Sequence, residues 1–420
     1  MLQKYRLVDP HLWRGKWVLG AILTSFLLLA SAVWAAAPTR LDPTVVHLAS
    51  LRTTTDHRLA SHTALRTRTI TMFSNGTGWA ASQSHIYHVI HRGRTWVPVT
   101  PSHLPQGSVL SLDPLSETQA AVAVSSVTSA NRLLTLYVTR NGGRHWASHP
   151  VPYSHNGIDF LDFLNPNLGW IGTDEVGASG TETLVLLKTI NGGQNFFEMP
   201  SSISPKMVMH GNFGHQGSVP IGNKTGVVFS SPTTGWITGI QNGGRTGGPT
   251  GWTAQSVNGG STWTPAHLSG KFYWIYSPVF WGSHLGLLPV NLSPDRWRVY
   301  RTTNNGHSWI PGAIISVWGP GYTFRRSFWS WSLTTSLDGW VVAERATNNR
   351  RPLLYITHNG GVTWNRELTN LPLQEISHLD MITPQAGFAI TRNSAQQTLW
   401  HTNDGARHWR KVSYRITKPA

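Results

Sequence analysis

The chain has 420 residues and a formal net charge of +16, from 34 Lys and Arg against 18 Asp and Glu. Charged residues make up only 12% of the chain, about half of the ~25% that is usual, so the chain is basic because it lacks acids. The bases are spread along the sequence without a dense run, which argues against a nucleic-acid partner. The absence of cysteine excludes disulfides, thiol catalysis and Cys-ligated metals.

The N-terminal region predicts a membrane anchor. Residues 17–37 are an uncharged stretch of 21 residues, long enough to cross a bilayer, and the preceding residues 1–16 form a basic tail. The positive-inside rule places this tail in the cytoplasm and the rest of the chain on the extracytoplasmic side of the cell membrane, as a single-pass protein. The alternative is a cleaved signal peptide ending near Val33–Ala35, with a secreted product. Residues 38–67 form the predicted linker.

Residues 68–420 carry a repeated octapeptide. Its seven copies end at residues 96, 146, 196, 263, 309, 364 and 409, at intervals of 45 to 67 residues. Repeats of this size are the signature of a propeller or a solenoid. The copies are Val89–Trp96, Thr139–Trp146, Thr189–Phe196, Ser256–Trp263, Thr302–Trp309, Thr357–Trp364 and Thr402–Trp409.

The residue order in the octapeptide predicts a tight hairpin turn. An Asp or Asn side chain can bond backbone amides two residues on, and Gly accepts a positive φ without a Cβ penalty. The closing aromatic residue begins the next strand and packs against the turn. The predicted structural positions are Asn141, Trp146, Asn191, Phe196, Asn258, Trp263, Asn304, Trp309, Asn359, Trp364, Asp404 and Trp409.

A second repeat lies upstream of most octapeptides: an apolar run, a turn, then Gly-Trp or Gly-Phe. Its clearest copies end at Trp79, Trp170, Trp236, Trp340 and Phe388. Each unit therefore contains four short strands that we label A to D, and nothing in the region has helical periodicity. The sequence predicts an all-β fold, a seven-bladed β-propeller of four-stranded antiparallel blades preceded by one N-terminal transmembrane helix.

The octapeptide resembles the Asp-box, or bacterial neuraminidase repeat, and this resemblance spans nearly all of the chain after residue 68. The combination of NGG turns and Gly-Trp strands is most similar to photosystem II stability/assembly-factor-like proteins, in which the propeller docks a partner protein. The same box occurs in sialidases, xyloglucan-degrading enzymes and sortilin-like receptors. The resemblance therefore implies the fold and leaves the activity open.

Catalytic signatures are weak. Sialidases of this superfamily carry an Arg-Ile-Pro element, whereas the single Arg-Ile here, Arg415-Ile416, precedes Thr417, which argues against a sialidase. Another glycoside hydrolase needs two carboxylates facing across a cleft. The histidines His85, His88 and His91 alternate along a strand and predict no metal site. The carboxylates available for a glycosidase are Asp174, Glu175, Glu182 and Glu344.

The predicted binding surface lies on the face opposite the octapeptides. The long intervals 201–223, 241–251 and 311–326 fall there, and variable loops on a rigid scaffold are where binding usually occurs. Within the last of them, an exposed aromatic and basic platform suits a sugar ring or an anionic group. Its residues are Trp318, Tyr322, Arg325 and Arg326.

These observations favour a monomeric, membrane-anchored, extracytoplasmic scaffold that binds or assembles a protein or an envelope polymer without cofactor or metal. The alternative is a carbohydrate-binding or glycoside-hydrolase-like envelope protein. The two functions differ in one geometric property, namely whether the candidate carboxylates face one another across an aromatic cleft.

Overall fold

A computed structural model describes residues 69–82, 85–102, 104, 109–127, 132–152, 158–175, 183–199, 223–241, 250–266, 268, 272–282, 284–293, 296–316, 328–344, 352–393 and 397–417. The predicted basic tail 1–16, membrane span 17–37 and linker 38–67 lie outside these ranges. Within them, no helix has the length and apolarity needed to cross a bilayer. The transmembrane helix accordingly stays a prediction.

The described residues form seven sheets, each with four successive antiparallel strand positions, which confirms the predicted seven-bladed, all-β propeller. Each blade is a meander of strands A to D, so neighbouring strands are joined by short turns or by longer loops. The strands of the first four blades are β1(Thr69–Met72), β2(Gly78–Ala81), β3(Ile86–Ile90) and β4(Thr95–Pro98); β5(Val109–Pro114), β6(Ala120–Val127), β7(Arg132–Thr139) and β8(Ala147–Val151); β9(Ile158–Phe163), β10(Gly169–Glu175), β11(Thr183–Thr189) and β12(Phe197–Glu198); β13(Asn223–Phe229), β14(Gly235–Gln241), β15(Thr250–Ser256) and β16(Thr264–Pro265).

Blade 5 departs from the regular pattern because its strand A is in two pieces that both pair with strand B. A 3-10 turn at Leu373–Glu375 precedes strand A of blade 7. The remaining strands are β17(Trp274–Ile275), β18(Val279–Trp281), β19(Leu285–Ser293), β20(Arg296–Thr302) and β21(Ile310–Ser316); β22(Phe328–Leu333), β23(Gly339–Glu344), β24(Pro352–Thr357) and β25(Asn365–Glu367); β26(Ile376–Met381), β27(Gly387–Arg392), β28(Gln397–Thr402), β29(Arg410–Lys411) and β30(Arg415–Ile416).

The hydrophobic core lies between the blades. A single buried cluster typically combines apolar side chains of two neighbours, as where Trp170 of blade 3 packs with Phe229 and Trp263 of blade 4. The Trp170 and Phe229 rings are stacked with centroids 3.5 Å apart. Because each sheet buries a face against the next one, no blade has a complete core of its own.

The last strand closes the ring. Blade 7 has its four strands, and β30 continues past it to pair in parallel with β4 as the fifth strand of blade 1. The Arg415 amide donates to Arg94 O at 3.0 Å, and the Tyr414 ring stacks on Trp96 at 4.8 Å. The C-terminal segment thus ties the end of the propeller to its first blade, a connection that the sequence pattern left undecided.

Candidate functional site

The octapeptides of blades 2 to 7 fold into one turn geometry. In blade 2 the Thr139 hydroxyl donates to Asn141 Oδ1 at 3.1 Å and accepts the Gly143 amide at 3.0 Å. The same Asn141 oxygen accepts the His145 amide at 2.9 Å. These three bonds recur in the five later copies at 2.7–3.2 Å, with Asn191, Asn258, Asn304, Asn359 and Asp404 in the place of Asn141.

The aromatic residue that closes each of these octapeptides lies immediately before strand D. Trp146 reaches the neighbouring blade, where its Nε1 donates to Val99 O at 2.7 Å. Trp409 instead donates to Ala406 O in its own turn at 2.9 Å. Trp146 and Trp409 therefore hydrogen-bond to the chain that precedes them. The same position is taken by Phe196, Trp263, Trp309 and Trp364 in blades 3 to 6.

Each octapeptide turn is also joined to the A–B turn of its own blade. The amide of the fourth octapeptide residue donates to an A–B turn carbonyl in all seven blades, for example Gly142 to Thr118 O at 2.8 Å and Arg92 to Gly76 O at 2.8 Å. This bond places the octapeptides and the A–B turns at one end of the blades, which we call the turn face. The B–C and D–A connections lie at the other end, the loop face.

The candidate glycosidase carboxylates are at the loop end of strand B in two different blades. Asp174 and Glu175 are the last residues of β10 in blade 3, and Glu344 is the last residue of β23 in blade 6. On the shorter path around the ring, two blades, 4 and 5, lie between these positions, the largest separation that a ring of seven allows. Glu182 lies outside the described residues. The side chains of these acids are not among those that the structure describes, and their pairing stays a prediction.

The predicted binding platform falls in the D–A connection between β21 and β22, which the described residues do not include. Trp318, Tyr322, Arg325 and Arg326 all belong to this connection. The strands that flank it, Ile310–Ser316 and Phe328–Leu333, belong to blades 5 and 6 and place its ends on the loop face. The platform stays a prediction.

Sequence reasoning missed a use of carboxylates inside the propeller. Buried Asp162 of blade 3 accepts the amide of Phe229 of blade 4 at 2.7 Å, and buried Asp113 of blade 2 accepts the amide of Phe163 of blade 3 at 2.7 Å. Each Asp is the next-to-last residue of strand A and hydrogen-bonds the last residue of strand A of the following blade. In the sequence, each site is a Leu-Asp-x triplet whose Asp lies seven residues before the first residue of strand B.

The interface between blades 7 and 1 uses the same device. Asp380 Oδ2 accepts the Met72 amide at 2.8 Å, and His378 Nε2 lies 2.7 Å from Ile70 O. Burial raises the pKa of Asp380 to about 7, and the hydrogen bond from Met72 opposes this effect. Burial lowers the pKa of His378 to about 4 against the effect of its bond to Ile70. The ring-closing interface therefore contains two groups that prefer their neutral forms.

The octapeptide of blade 1 has a different turn. Its third and fourth residues, His91 and Arg92, have φ of 56° and 55°, so two consecutive side-chain-bearing residues are in the left-handed region. The other turns place no positive φ at their third position. A left-handed non-Gly residue costs roughly 1–2 kcal/mol. His91 Nδ1 lies 3.3 Å from Thr95 Oγ1, and the Arg92 stem packs over Gly76.

This turn contributes to a basic cluster shared by blades 1 and 7. Gly93 packs on the Phe388 ring, which lies 4.8 Å from the His401 ring. His401 pairs in register with Arg410 on the neighbouring strand. Burial first, and then the positive charges of Arg92, Arg410 and Arg94, lower the pKa of His401. The cluster was not predicted, although the replacement of Asn-Gly by His91-Arg92 marks the turn as unusual.

An open pocket of about 570 Å³ lies against this turn. Its lining joins the A–B turn of blade 1 to the octapeptide, through Asn75, Thr77, Ile90, His91, Arg92 and Arg94. The Thr77 amide and hydroxyl both donate to Asn75 Oδ1, at 2.9 and 2.8 Å. The pocket is thus bounded by basic groups and by an ordered polar turn.

The part of the chain that the structure describes has no group of three His, Asp or Glu placed to hold a metal ion. The three histidines of blade 1 have separate surroundings. His88 Nε2 lies 2.8 Å from Glu117 O, and its ring packs at 5.0 Å from Trp79. His85 instead stacks on Tyr87, with ring centroids 6.1 Å apart.

No protein-family profile and no curated protein matches this sequence. Among solved structures, a GH74 enzyme from Niastella koreensis matches with a TM-score of 0.55 and 15% identity, over 83% of this chain and 54% of that enzyme, so the chain spans about half of its length. An uncharacterized protein from Listeria monocytogenes matches with a TM-score of 0.50 and 6% identity, over 87% and 99% of the two chains. YCF48 from Cyanidioschyzon merolae has a TM-score of 0.47 and 15% identity, over 82% and 94%. At these identities the likeness concerns the fold alone.

Proposed function

We propose that this protein is a non-enzymatic binding or assembly scaffold of the Asp-box type, tethered to the cell membrane by residues 17–37. Its propeller lies on the extracytoplasmic side as a monomer and docks a protein or an envelope polymer on its loop face. The platform of Trp318, Tyr322, Arg325 and Arg326 is the proposed contact. No cofactor, metal or nucleic acid takes part.

The observation that carries this proposal is the way in which the described carboxylates are used. Asp113, Asp162 and Asp380 are buried and accept amides across blade interfaces. Asp404 caps its own octapeptide turn, and Glu367 pairs with Arg407 at 3.4 Å. The chain has only 18 acids, and these five stabilise the propeller itself. A glycosidase, by contrast, needs two carboxylates that face each other across an open cleft.

A contrast between the two ends of the blades supports the position of the contact. The turn face is regular in six of the seven blades, which share one octapeptide geometry, and every octapeptide donates the same bond to its A–B turn. The longer connections 200–222, 242–249 and 317–327 all leave from the loop face of blades 3 to 6. A partner that recognises this propeller among others of its fold has its distinguishing contacts there.

The direct test is capture of a partner by the full-length protein in membranes, using chemical cross-linking in intact cells. A Trp318→Ala/Tyr322→Ala variant should lose at least ten-fold in recovered partner, since truncating a central aromatic contact costs more than about 1.4 kcal/mol. The matched control is Val257→Ala, an exposed side chain of the turn face. Equal recovery from the platform variant and the wild type would contradict the proposed contact.

The alternative function is tested in the same preparation by release of reducing ends from envelope polysaccharides. Turnover that disappears in both Glu344→Gln and Asp174→Asn, with retained folding, would replace the scaffold by a glycosidase. Absence of turnover in the wild-type protein, together with partner capture that depends on Trp318, agrees with the scaffold.

A further inference from the structure

The blade 1 turn holds its residues in an unfavourable conformation for which its own blade gives no reason. Five of the other six octapeptides have Gly at the position of Arg92, namely Gly142, Gly192, Gly259, Gly360 and Gly405, and each makes the same bond to its A–B turn. Arg92 makes that bond as well, at the cost of a left-handed Arg beside a left-handed His91. Strained non-Gly residues of this kind concentrate at ligand sites.

The strained turn lies near cationic groups of both the first and the last blade, which are neighbours in the ring. Arg92 and Arg94 come from blade 1, and Arg410 comes from strand D of blade 7, beside His401. The three Arg side chains are exposed, and none of them has a carboxylate partner among the residues that the structure describes. By contrast Arg407, at the octapeptide position of Arg94 in blade 7, pairs with Glu367.

The pocket beside the turn supplies the shape of a site. It is concave, holds about 570 Å³ and is lined by both Arg92 and Arg94 together with His91. Asn75 also lines the pocket. Its Oδ1 accepts the Thr77 amide and hydroxyl, and the other polar atom of its side chain, Nδ2, is a donor. Guanidinium groups and an amide donor around a concavity match the several acceptor oxygens of a tetrahedral oxyanion.

We propose that the pocket at Arg92 and Arg94, on the turn face of blade 1, binds a phosphate group. The two guanidinium groups that line the pocket fit the charge and the three free oxygens of a phosphate ester better than the single charge of a carboxylate. The phosphate comes from a free phosphate or from an anionic phospholipid headgroup, which share this chemistry. The site lies on the face opposite the proposed partner contact and is independent of it.

The site is tested with the full-length protein purified in detergent, by calorimetric titration with inorganic phosphate at constant ionic strength. The variant is Arg92→Gly/Arg94→Gln. Gly restores the residue that five other octapeptides carry, so the turn keeps its fold. The matched control is Arg144→Gln, which removes the Arg at the octapeptide position of Arg94 in blade 2.

We expect saturable phosphate binding by the wild-type protein and by the Arg144→Gln control, and binding at least ten-fold weaker in the double variant. The melting temperature of the double variant without phosphate should equal or exceed that of the wild type, because the strain at Arg92 is removed. A double variant that melts at a lower temperature and binds phosphate as well as the wild type would show that the arginines serve the turn alone, and would overturn the proposal.

A second arm separates the two sources of phosphate. The protein is titrated with vesicles of phosphatidylglycerol and, as the uncharged comparison, of phosphatidylcholine. Binding of phosphatidylglycerol vesicles that depends on Arg92 and Arg94 assigns the site to a headgroup, and binding of inorganic phosphate alone assigns it to a free phosphate. Failure of both ligands in the wild-type protein would overturn the proposal, whatever the outcome of the partner-capture experiment.

Discussion

Neighbouring blades of this propeller are held together in two different ways. Across the interfaces of blades 2–3, 3–4, 6–7 and 7–1, a polar side chain near the end of strand A accepts an amide of the next blade. At the same register position, blades 4 and 5 carry Val228 and Val279 instead. Blade 1 carries Thr71, and the last strand-A residue of blade 2 is Pro114, which has no amide to donate.

The comparison shows that one position of the fold accepts either a polar side chain or an apolar one. A buried carboxylate is stable there because a backbone donor meets it, and a valine is stable because it fills the same space with apolar contacts. An interface with half of either arrangement carries an unsatisfied buried group, which costs about 1–3 kcal/mol. The polar interfaces should therefore respond to pH and to truncation in ways that the apolar ones do not.

The largest expected effect concerns Asp380 and pH. The pKa of Asp380 in the folded protein is about 7, above the usual 3.8, so the fold favours the protonated side chain. This stabilisation is complete below about pH 4 and is lost as the pH rises towards 7. Asp380→Asn removes that loss. We expect the variant to gain stability relative to the wild type between pH 4 and pH 7, reaching on the order of 4 kcal/mol.

The measurement is the guanidinium unfolding free energy of both proteins from pH 4 to pH 8. The difference between them isolates Asp380, because His378 titrates in both and acts in the opposite direction: its lowered pKa makes the fold lose stability as the pH falls from about 6.5 towards 4. A difference that does not change with pH would show that Asp380 is ionised at little cost.

The second effect is truncation of a polar interface. Asp162→Ala leaves the Phe229 amide without its acceptor in a buried interface and opens a small cavity, so we expect a loss of about 3 kcal/mol in unfolding free energy. The control is Asp162→Asn, whose amide oxygen can still accept the bond and which should retain most of the stability. Equal losses in the two variants would assign the effect to charge instead of the hydrogen bond.

The smallest effect is expected at Ser332, the uncharged side chain among the interblade acceptors. Ser332→Ala removes the acceptor of the Met381 amide, which lies 2.9 Å from the hydroxyl, and we expect a loss of about 1 kcal/mol. The melting temperature should fall by the same amount at pH 5 and pH 8, because a hydroxyl does not titrate in this range. A pH-dependent loss would mean that Ser332 is coupled to Asp380 across the blade.

The blade count could be predicted from the sequence because the octapeptide is stabilised by local contacts. Thr139, Asn141 and Gly143 satisfy one another within five residues, so their chemistry is visible in the chain. The role of Asp162 could not be derived in this way, since its partner is the amide of Phe229, 67 residues later. Interactions between blades depend on how two sheets are aligned, and no single repeat contains that information.

The candidate sites likewise differ in how much of each is visible in the local sequence. The Trp318 platform was predicted from composition and loop length, without a repeat pattern to fix its conformation, and it stays a prediction. The basic cluster was missed because Arg94 and Arg410 are 316 positions apart in the sequence and act on the same side chain, His401, only when the ring closes. The one local signal is that His91-Arg92 replaces Asn-Gly in the blade 1 octapeptide. The sequence alone shows this as a degenerate repeat, whereas the positive φ angles of both residues show an unusual turn.

The pairing of β30 with β4 sets an order of events during synthesis. The first blade leaves the ribosome with an open strand edge, and the segment that covers it is made only after all seven blades. Until then, the exposed edge of β4 can pair with any other strand, including the same edge of a second chain. The first blade is therefore completed only after about 320 further residues have been synthesised, roughly 16 to 64 s later at ordinary rates of synthesis.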